Sequence, residues 1–277
     1  PFQKLFNQGM ILAHAYEDAK GSKIPSDQVV EKDGRFYHKD NDEELKQIIA
    51  KMSKSLKNVV NPDDVVCKYG ADSLRLYEMF MGPLDKTKPW QTSGLEGQYR
   101  FLQKVWRNFV GDENPAEVKE EPAPKEVLKI AHQSIKKVGD DIENLRFNTA
   151  ISQLMIFNNE IAKTKVIYKE VAEIFIQLLA PFCPHLAEEL WERYGKTGLS
   201  YTPWPAFDSK LAEEDTITIV FQTNGKVKVR ADIAKGKSRE ELESIARGHE
   251  KFKNYLDGKN IVKVIAVPDK LVNFVIR

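Results

Sequence analysis

Lys51-Met52-Ser53-Lys54-Ser55 is the stretch from which the rest of the chain can be read. Two lysines three positions apart, each followed closely by a small hydroxyl residue, can set two ammonium charges on one polyphosphate with hydroxyl donors between them. When a carboxylate attacks the α-phosphate of ATP, charge grows on the departing pyrophosphate, and lysines aimed there favour the transition state over the ground state. The chain holds 42 Lys and Arg among 277 residues, so a solvated loop is the competing reading of the pentad alone.

The residues after the pentad separate the two readings. Ser55-Leu56-Lys57-Asn58-Val59-Val60-Asn61-Pro62-Asp63-Asp64-Val65-Val66, then Lys68-Tyr69-Gly70-Ala71-Asp72-Ser73-Leu74-Arg75-Leu76-Tyr77, resembles in order the run after the K-M-S-K-S signature of class I aminoacyl-tRNA synthetases. Asn7-Gln8-Gly9-Met10-Ile11, Met81-Gly82-Pro83, Pro89-Trp90, Phe147-Asn148-Thr149-Ala150-Ile151, Pro203-Trp204-Pro205 and Asn224-Gly225-Lys226-Val227 extend the resemblance to the bacterial leucyl type, from Pro1 to Arg277. The chain looks like the C-terminal portion of such an enzyme, beginning just before the signature loop. The isoleucyl, valyl and methionyl relatives are the alternatives within the class, and a stand-alone RNA-binding module is the alternative outside it.

The resemblance implies a multidomain α+β protein. Residues 1–13 correspond to the end of a Rossmann-type catalytic domain, 14–50 to a small leucyl-specific insertion, and 51–92 to the signature loop with its stem-contact helices. Residues 93–205 correspond to a helical-bundle anticodon-binding domain and 215–277 to a small ββαββ tRNA-binding domain. It also implies ATP with Mg2+, leucine and tRNA-Leu as partners of the whole enzyme, a monomer, and no activity from this stretch alone. Lys54 and Lys51 are the candidate catalytic residues on the ATP phosphates, with Met52 packing and Ser53 and Ser55 adding hydroxyl contacts.

Composition agrees with an ordinary soluble chain. At 277 residues and 42% hydrophobic content, about two domains are expected. No apolar run approaches the roughly 20 residues of a membrane span, and no signal peptide pattern opens the chain, so a cytosolic location is expected. Cys67 and Cys183 are the only cysteines and are expected to be reduced packing residues. Cys183 and His185 lack a second ligand pair at zinc-like spacing, so no metal site is expected. No His-x-Gly-His, G-x-G-x-x-G or Walker loop occurs.

The net charge of +1 conceals an uneven distribution: residues 112–126 hold six acidic and two basic side chains, and 215–277 hold 13 basic and 8 acidic. A polyanion is therefore expected at the C-terminal end.

Local patterns give the elements. Phe2, Leu5 and Phe6 suggest the end of a helix, and Gly9 to Leu12 a strand without partners. Residues 14–50 carry turn signals at Gly21, Pro25 and Asp33-Gly34 and read as a β-rich insertion or a loose loop. Asn61 with Pro62 and Asp63-Asp64 opens a helix that Gly70 stops, and a second helix runs from Asp72 to Met81. Ser93 is read as the cap of a helix with Leu95, Tyr99, Leu102, Trp106 and Phe109 inward. Its other face presents Arg100, Lys104 and Arg107, either solvated or touching phosphate.

Residues 111–125 read as a linker. Helices then span Leu128 to Leu145, Phe147 to Ile161, Tyr168 to Leu179 and Pro184 to Tyr194, giving a bundle. After an extended connection over 196–215, Ile217, Ile219 and Phe221 alternate, Asn224-Gly225 turns, and Val227, Val229 and Ala231 alternate back. That places Lys226, Lys228 and Arg230 in one row on the other face, solvated or against a tRNA backbone. Ser238 with Glu241 forms a capping box, and two further strands complete the module.

Overall fold

The computed structural model describes residues 2–111, 117–164, 166–213 and 216–277. The expected linker over 111–125 lies partly outside them. Two compact units are formed, one through Ala212 and one from Glu213.

The first unit opens with a sheet. Its strands are β1 (Ile11–Glu17), β2 (Lys23–Ile24), β3 (Val29–Lys32), β4 (Arg35–His38) and β5 (Glu44–Lys51). They lie in the order β2-β1-β5-β4-β3, with β6 (Lys88–Pro89) parallel to the start of β1. The β-rich reading of 14–50 therefore holds over the loop reading. Asp33-Gly34 closes the β3–β4 hairpin with both residues at positive φ (52° and 76°), the backbone a two-residue hairpin turn requires.

The N-terminal expectation fails in two ways. Residues 2–10 form no helix, because the apolar positions lack a continuous helical stripe and Gly9 is drawn into a close backbone contact. The strand also has partners. β1 runs unbroken across residues 13 and 14, with Ala13 opposite Ala50 and Ala15 opposite Ile48 on β5. Ala13 and Ala15 are buried on either side of exposed His14, the alternation of a half-buried strand.

Helices α1 (Pro62–Tyr69) and α2 (Ala71–Phe80) come after the pentad. The Asn61 side chain accepts from the Asp63 N–H, so the predicted cap forms. α3 (Thr92–Phe109) departs from expectation at its start: Ser93 lies inside the helix and Gln91 occupies the cap position without a side-chain bond. The reason is tertiary, since the Tyr77 hydroxyl accepts from the Gln91 N–H at 2.7 Å and fixes the chain there. The inward face is also rotated. Leu95, Gln98, Phe101, Val105 and Phe109 are buried, Leu102 and Trp106 pack on their flank, and Tyr99 is exposed against Tyr69.

The bundle continues through α4 (Lys125–Glu143), α5 (Phe147–Lys163), α6 (Lys169–Leu179) and α7 (Pro184–Arg193). Two-residue strands β7 (Val118–Lys119) and β8 (Ile167–Tyr168) pair in parallel beside it. Phe157 and Phe175, both fully buried, meet edge to face at 5.5 Å; each contributes about 1.5–3 kcal/mol on leaving water. The connection after α7 is less extended than its sequence suggests. It carries a short α8 (Ser209–Ala212), and the Asp208 N–H donates to His132 Nδ1 on α4.

α2 fastens the α6–α7 corner. Asp72 accepts from the Leu186 N–H and from His185 Nδ1, each at 2.8 Å, while Arg75 donates to the carbonyls of Pro181 and Phe182 at 3.0 and 3.2 Å. A carboxylate thus meets the positive start of α7, and a guanidinium meets the carbonyls leaving α6.

The second unit is a four-stranded sheet, β9 (Thr216–Thr223), β10 (Lys226–Ala234), β11 (Ile261–Val267) and β12 (Leu271–Ile276), in the order β10-β9-β12-β11. Helices α9 (Arg239–Gly248) and α10 (Glu250–Lys253) link its halves. The capping box of Ser238 and Glu241 is present. α10 is an addition to the expected ββαββ pattern.

At the α4–α5 corner, fully buried Asp141 receives Lys137, Arg146 at 2.7 Å and the Thr149 hydroxyl at 2.6 Å. Burial alone would raise its carboxyl, but these hydrogen bonds outweigh burial and hold it below the ordinary range. Stability from this group is therefore complete above the ordinary aspartate value of about 3.9 and is lost as pH falls through the lower folded value. Asp141→Asn should destabilise the first unit at pH 7 by about 2–3 kcal/mol and flatten its acid-unfolding limb, as read by urea titration between pH 7 and 2.

Candidate functional site

The pentad begins on a strand and ends in a turn. Lys51 is the last residue of β5, paired with Leu12 on β1. Met52 and Ser53 are half-buried, and Lys54 and Ser55 are exposed. The Lys57 N–H closes back on the Lys54 carbonyl at 3.3 Å. Lys57 takes a positive φ of 49° to complete this turn, an uncommon conformation for a residue with a side chain.

Side chains inside the turn tie it together. Ser53 Oγ accepts from the Ser55 N–H at 3.2 Å and shares a 2.6 Å bond with Ser55 Oγ. The Ser53 hydroxyl therefore shapes the backbone, in the manner of local Ser turns. Neither the Lys51 nor the Lys54 ammonium group has a hydrogen-bond or ion-pair partner among the described residues, and both side chains are exposed to solvent.

The turn is also anchored from outside. Buried Asn58 accepts from the Ser53 N–H at 2.9 Å and donates to the His14 carbonyl on β1 at 3.2 Å. The Ser26 N–H donates to the Leu56 carbonyl at 2.9 Å. Lys57 Nζ pairs with the Asp27 carboxylate and holds it below the usual carboxylate range. These anchors escaped the sequence reading, because Asn58 stands only three residues past the pentad without a pattern of its own, and Asp27 lies 30 positions from its partner.

Behind the site, residues 84–90 lie along the start of β1. The Gly9 N–H donates to the Leu84 carbonyl, Lys88 N–H to Met10 and Trp90 N–H to Leu12.

The cationic candidates are placed differently from one another. On α3, Arg100 and Arg107 are exposed, whereas Lys104 donates to Asn159 Oδ1 on α5 at 2.6 Å. On β10 the expected row of Lys226, Lys228 and Arg230 does not form. The register shifts between Val227 and Val229, so Lys226 opposes Thr223, Val227 opposes Gln222, Val229 opposes Phe221 and Arg230 opposes Val220. One extra residue in the strand reverses the alternation. Val227 is consequently 52% exposed instead of inward, and Lys228 Nζ lies over the Tyr255 ring at 5.1 Å.

Of the residues expected to pack, Cys183 is buried, whereas Cys67 and His185 are exposed, because each points off the solvent side of its helix. Burial pushes the Cys183 thiol well above its ordinary range, so it is no ready thiolate ligand, and His185 is engaged by Asp72.

Comparison with known proteins gives two family matches: tRNA synthetases class I (I, L, M and V) over residues 47–88, and the anticodon-binding domain of tRNA ligase over residues 124–244. A leucine–tRNA ligase of Borrelia hermsii is 50% identical over 279 aligned positions, covering all of this chain and 32% of the relative. The crystal structure of a ternary complex of Agrobacterium radiobacter K84 agnB2 LeuRS with tRNA and LeuAMS matches all of this chain and 34% of its own, with TM-score 0.66 and 26% identity. The chain thus spans about a third of the length of these relatives.

The contact behind the site is testable. A methyl group on Gly9 would sit 2.2 Å from the Lys86 carbonyl atoms and 2.6 Å from the Thr87 nitrogen, all main chain. Gly9→Ala should cost about 1–3 kcal/mol. Gly97→Ala, on α3 with nothing nearer than 4.0 Å, should instead stabilise by about 0.5–1 kcal/mol. Urea denaturation of the two variants checks the contrast.

Proposed function

We propose that this chain is part of a class I tRNA synthetase of the leucyl type, and that it supplies the ATP-phosphate loop and tRNA-binding parts of an enzyme that charges tRNA-Leu with leucine. In the first step the leucine carboxylate attacks the α-phosphorus of ATP, giving leucyl-adenylate and pyrophosphate. In the second, a hydroxyl at the 3′ end of tRNA-Leu takes the leucyl group and releases AMP.

The observation that carries this reading is the pair of uncompensated lysines on a turn fixed by its own serines. Lys54, on the exposed turn, meets the departing pyrophosphate, and Lys51, at the end of β5, adds a second charge. Both act most strongly as negative charge grows on the leaving oxygens, which is the condition for lowering the barrier instead of merely binding ATP. Met52 packs beneath the turn, and the Ser55 hydroxyl is available to phosphate more readily than that of Ser53. Mg2+ accompanies ATP, and no residue of this chain is assigned to it.

The tRNA-binding role draws on the excess of basic residues in 215–277 and on the exposed arginines. Arg100, Arg107 and Arg230 are the favoured phosphate contacts. Lys226 and Lys228 contribute from the other side of the bulge, and Lys104 contributes with the donors that Asn159 leaves free. The whole-length likeness to a leucyl enzyme favours leucine over isoleucine, valine or methionine. The enzyme is proposed to be cytoplasmic and monomeric, with this portion inactive in adenylate formation by itself.

In the full-length enzyme, Lys54→Ala should slow leucine-dependent ATP–pyrophosphate exchange at least about 100-fold, equivalent to roughly 2.7 kcal/mol; near-normal exchange would overturn the phosphate role. Neutralising Arg100, Arg107 or Arg230 should weaken tRNA-Leu binding and reduce the slope of log K against log salt by about one per lost phosphate contact. An unchanged slope in a filter-binding titration would remove that arginine from the interface.

A further inference from the structure

The turn that carries Lys54 is not held by covalent continuity alone, and its strongest external tie is one buried amide. Asn58 is 8% exposed and uses both ends of its side chain. Its oxygen takes the Ser53 N–H at 2.9 Å, inside the pentad, and its nitrogen gives to the His14 carbonyl at 3.2 Å, in the middle of β1. An aspartate could serve only the first contact and would set a negative oxygen against the His14 carbonyl. A leucine of similar size would serve neither.

A second tie grips the far side of the turn. Lys57, in its left-handed conformation, pairs with Asp27, whose main-chain carbonyl is held by Lys39 Nζ, and the neighbouring Ser26 N–H holds the Leu56 carbonyl. Asp27 belongs to the short helical turn Ser26–Gln28 that leads into β3. Residues 53 to 57 are therefore suspended between β1 and the Ser26–Gln28 turn.

We propose that Asn58 is a positioning residue for the ATP-phosphate loop: by joining Ser53 to His14 it fixes the direction in which Lys51 and Lys54 project, with the Asp27–Lys57 pair as a weaker second latch. The inference rests on the phosphate role proposed above for the two lysines. Catalysis by preorganised charges is sensitive to small displacements. Loss of the amide should therefore act on the step in which pyrophosphate departs and spare the step in which tRNA accepts the leucyl group.

The test uses the full-length enzyme and separates the two half-reactions. Asn58→Ala should lower kcat of leucine-dependent ATP–pyrophosphate exchange about tenfold or more and change KM for ATP less than about threefold. Single-turnover transfer from enzyme-bound leucyl-adenylate to tRNA-Leu should stay within about twofold of the parent. Exchange kcat within twofold of the parent, or a parallel fall in both half-reactions, would overturn the proposal.

A second set of variants does not depend on the folding of Asn58→Ala. Asp27→Ala should slow exchange by about two- to fivefold, in keeping with an exposed ion pair, and Asp27→Lys combined with Lys57→Asp should recover most of that loss. Failure of the double variant to recover would remove the second latch. Lys54→Ala separates this inference from its premise. If exchange collapses in Lys54→Ala but persists in Asn58→Ala, only the positioning role fails; if Lys54→Ala exchanges normally, the phosphate reading itself is lost.

Discussion

Helix ends leave main-chain groups without partners, and the corner between α6 and α7 is where that constraint bears hardest on the first unit. Pro181 to Pro184 break the helix inside the bundle core, where Phe182 and Cys183 are buried. Asp72 and Arg75 on α2 resolve the problem from outside, one supplying an acceptor to the start of α7 and the other donors to the carbonyls that precede it. An unpartnered buried polar group costs about 1–3 kcal/mol, so the two residues favour a single seating for α2. Because α1 and α2 come directly after the pentad, this one corner relates the pentad to the helical bundle.

The loop itself obeys the same economy of polar groups. Ser53, Ser55 and Asn58 satisfy one another or the main chain, Asp27 pairs with Lys57, and the ammonium groups of Lys51 and Lys54 have no partner among the described residues. That network holds the shape of the turn while leaving the two ammonium groups to solvent. Elsewhere on the surface, Lys237 with Glu241 and Lys163 with Glu160 are paired.

Much of this was legible in the sequence. The cap at Asn61, the turns at Asp33-Gly34 and Asn224-Gly225, the capping box at Ser238 and the helices of the bundle all rest on local chemistry that neighbouring residues specify. The misreadings arise where distant residues decide. Tyr77 draws the start of α3 to before Ser93, Gln98 enters the core in place of Tyr99, and one bulged residue turns Val227 outward and scatters a predicted row of cations. Within the site, the pentad stood out by its own charges, whereas Asn58 and Asp27 gain their meaning only from His14 and Lys57, which no spacing rule brings near them.

The pairing of β6 with β1 has a consequence for how the molecule comes together. Met10 and Thr87 are 77 positions apart yet in contact, so closing that edge of the sheet confines a long stretch of chain. The entropic cost of closure rises only slowly with length, but contacts of high sequence separation form late and slow the search for the native state. The bundle helices consist of local turns and can form early. β1, the partner of the strand that leads into the pentad, acquires its last neighbour only after α1 and α2 have folded back. Assembly of the lysine-bearing turn is therefore timed by topology, with its supporting sheet completed after the scaffold that locates it.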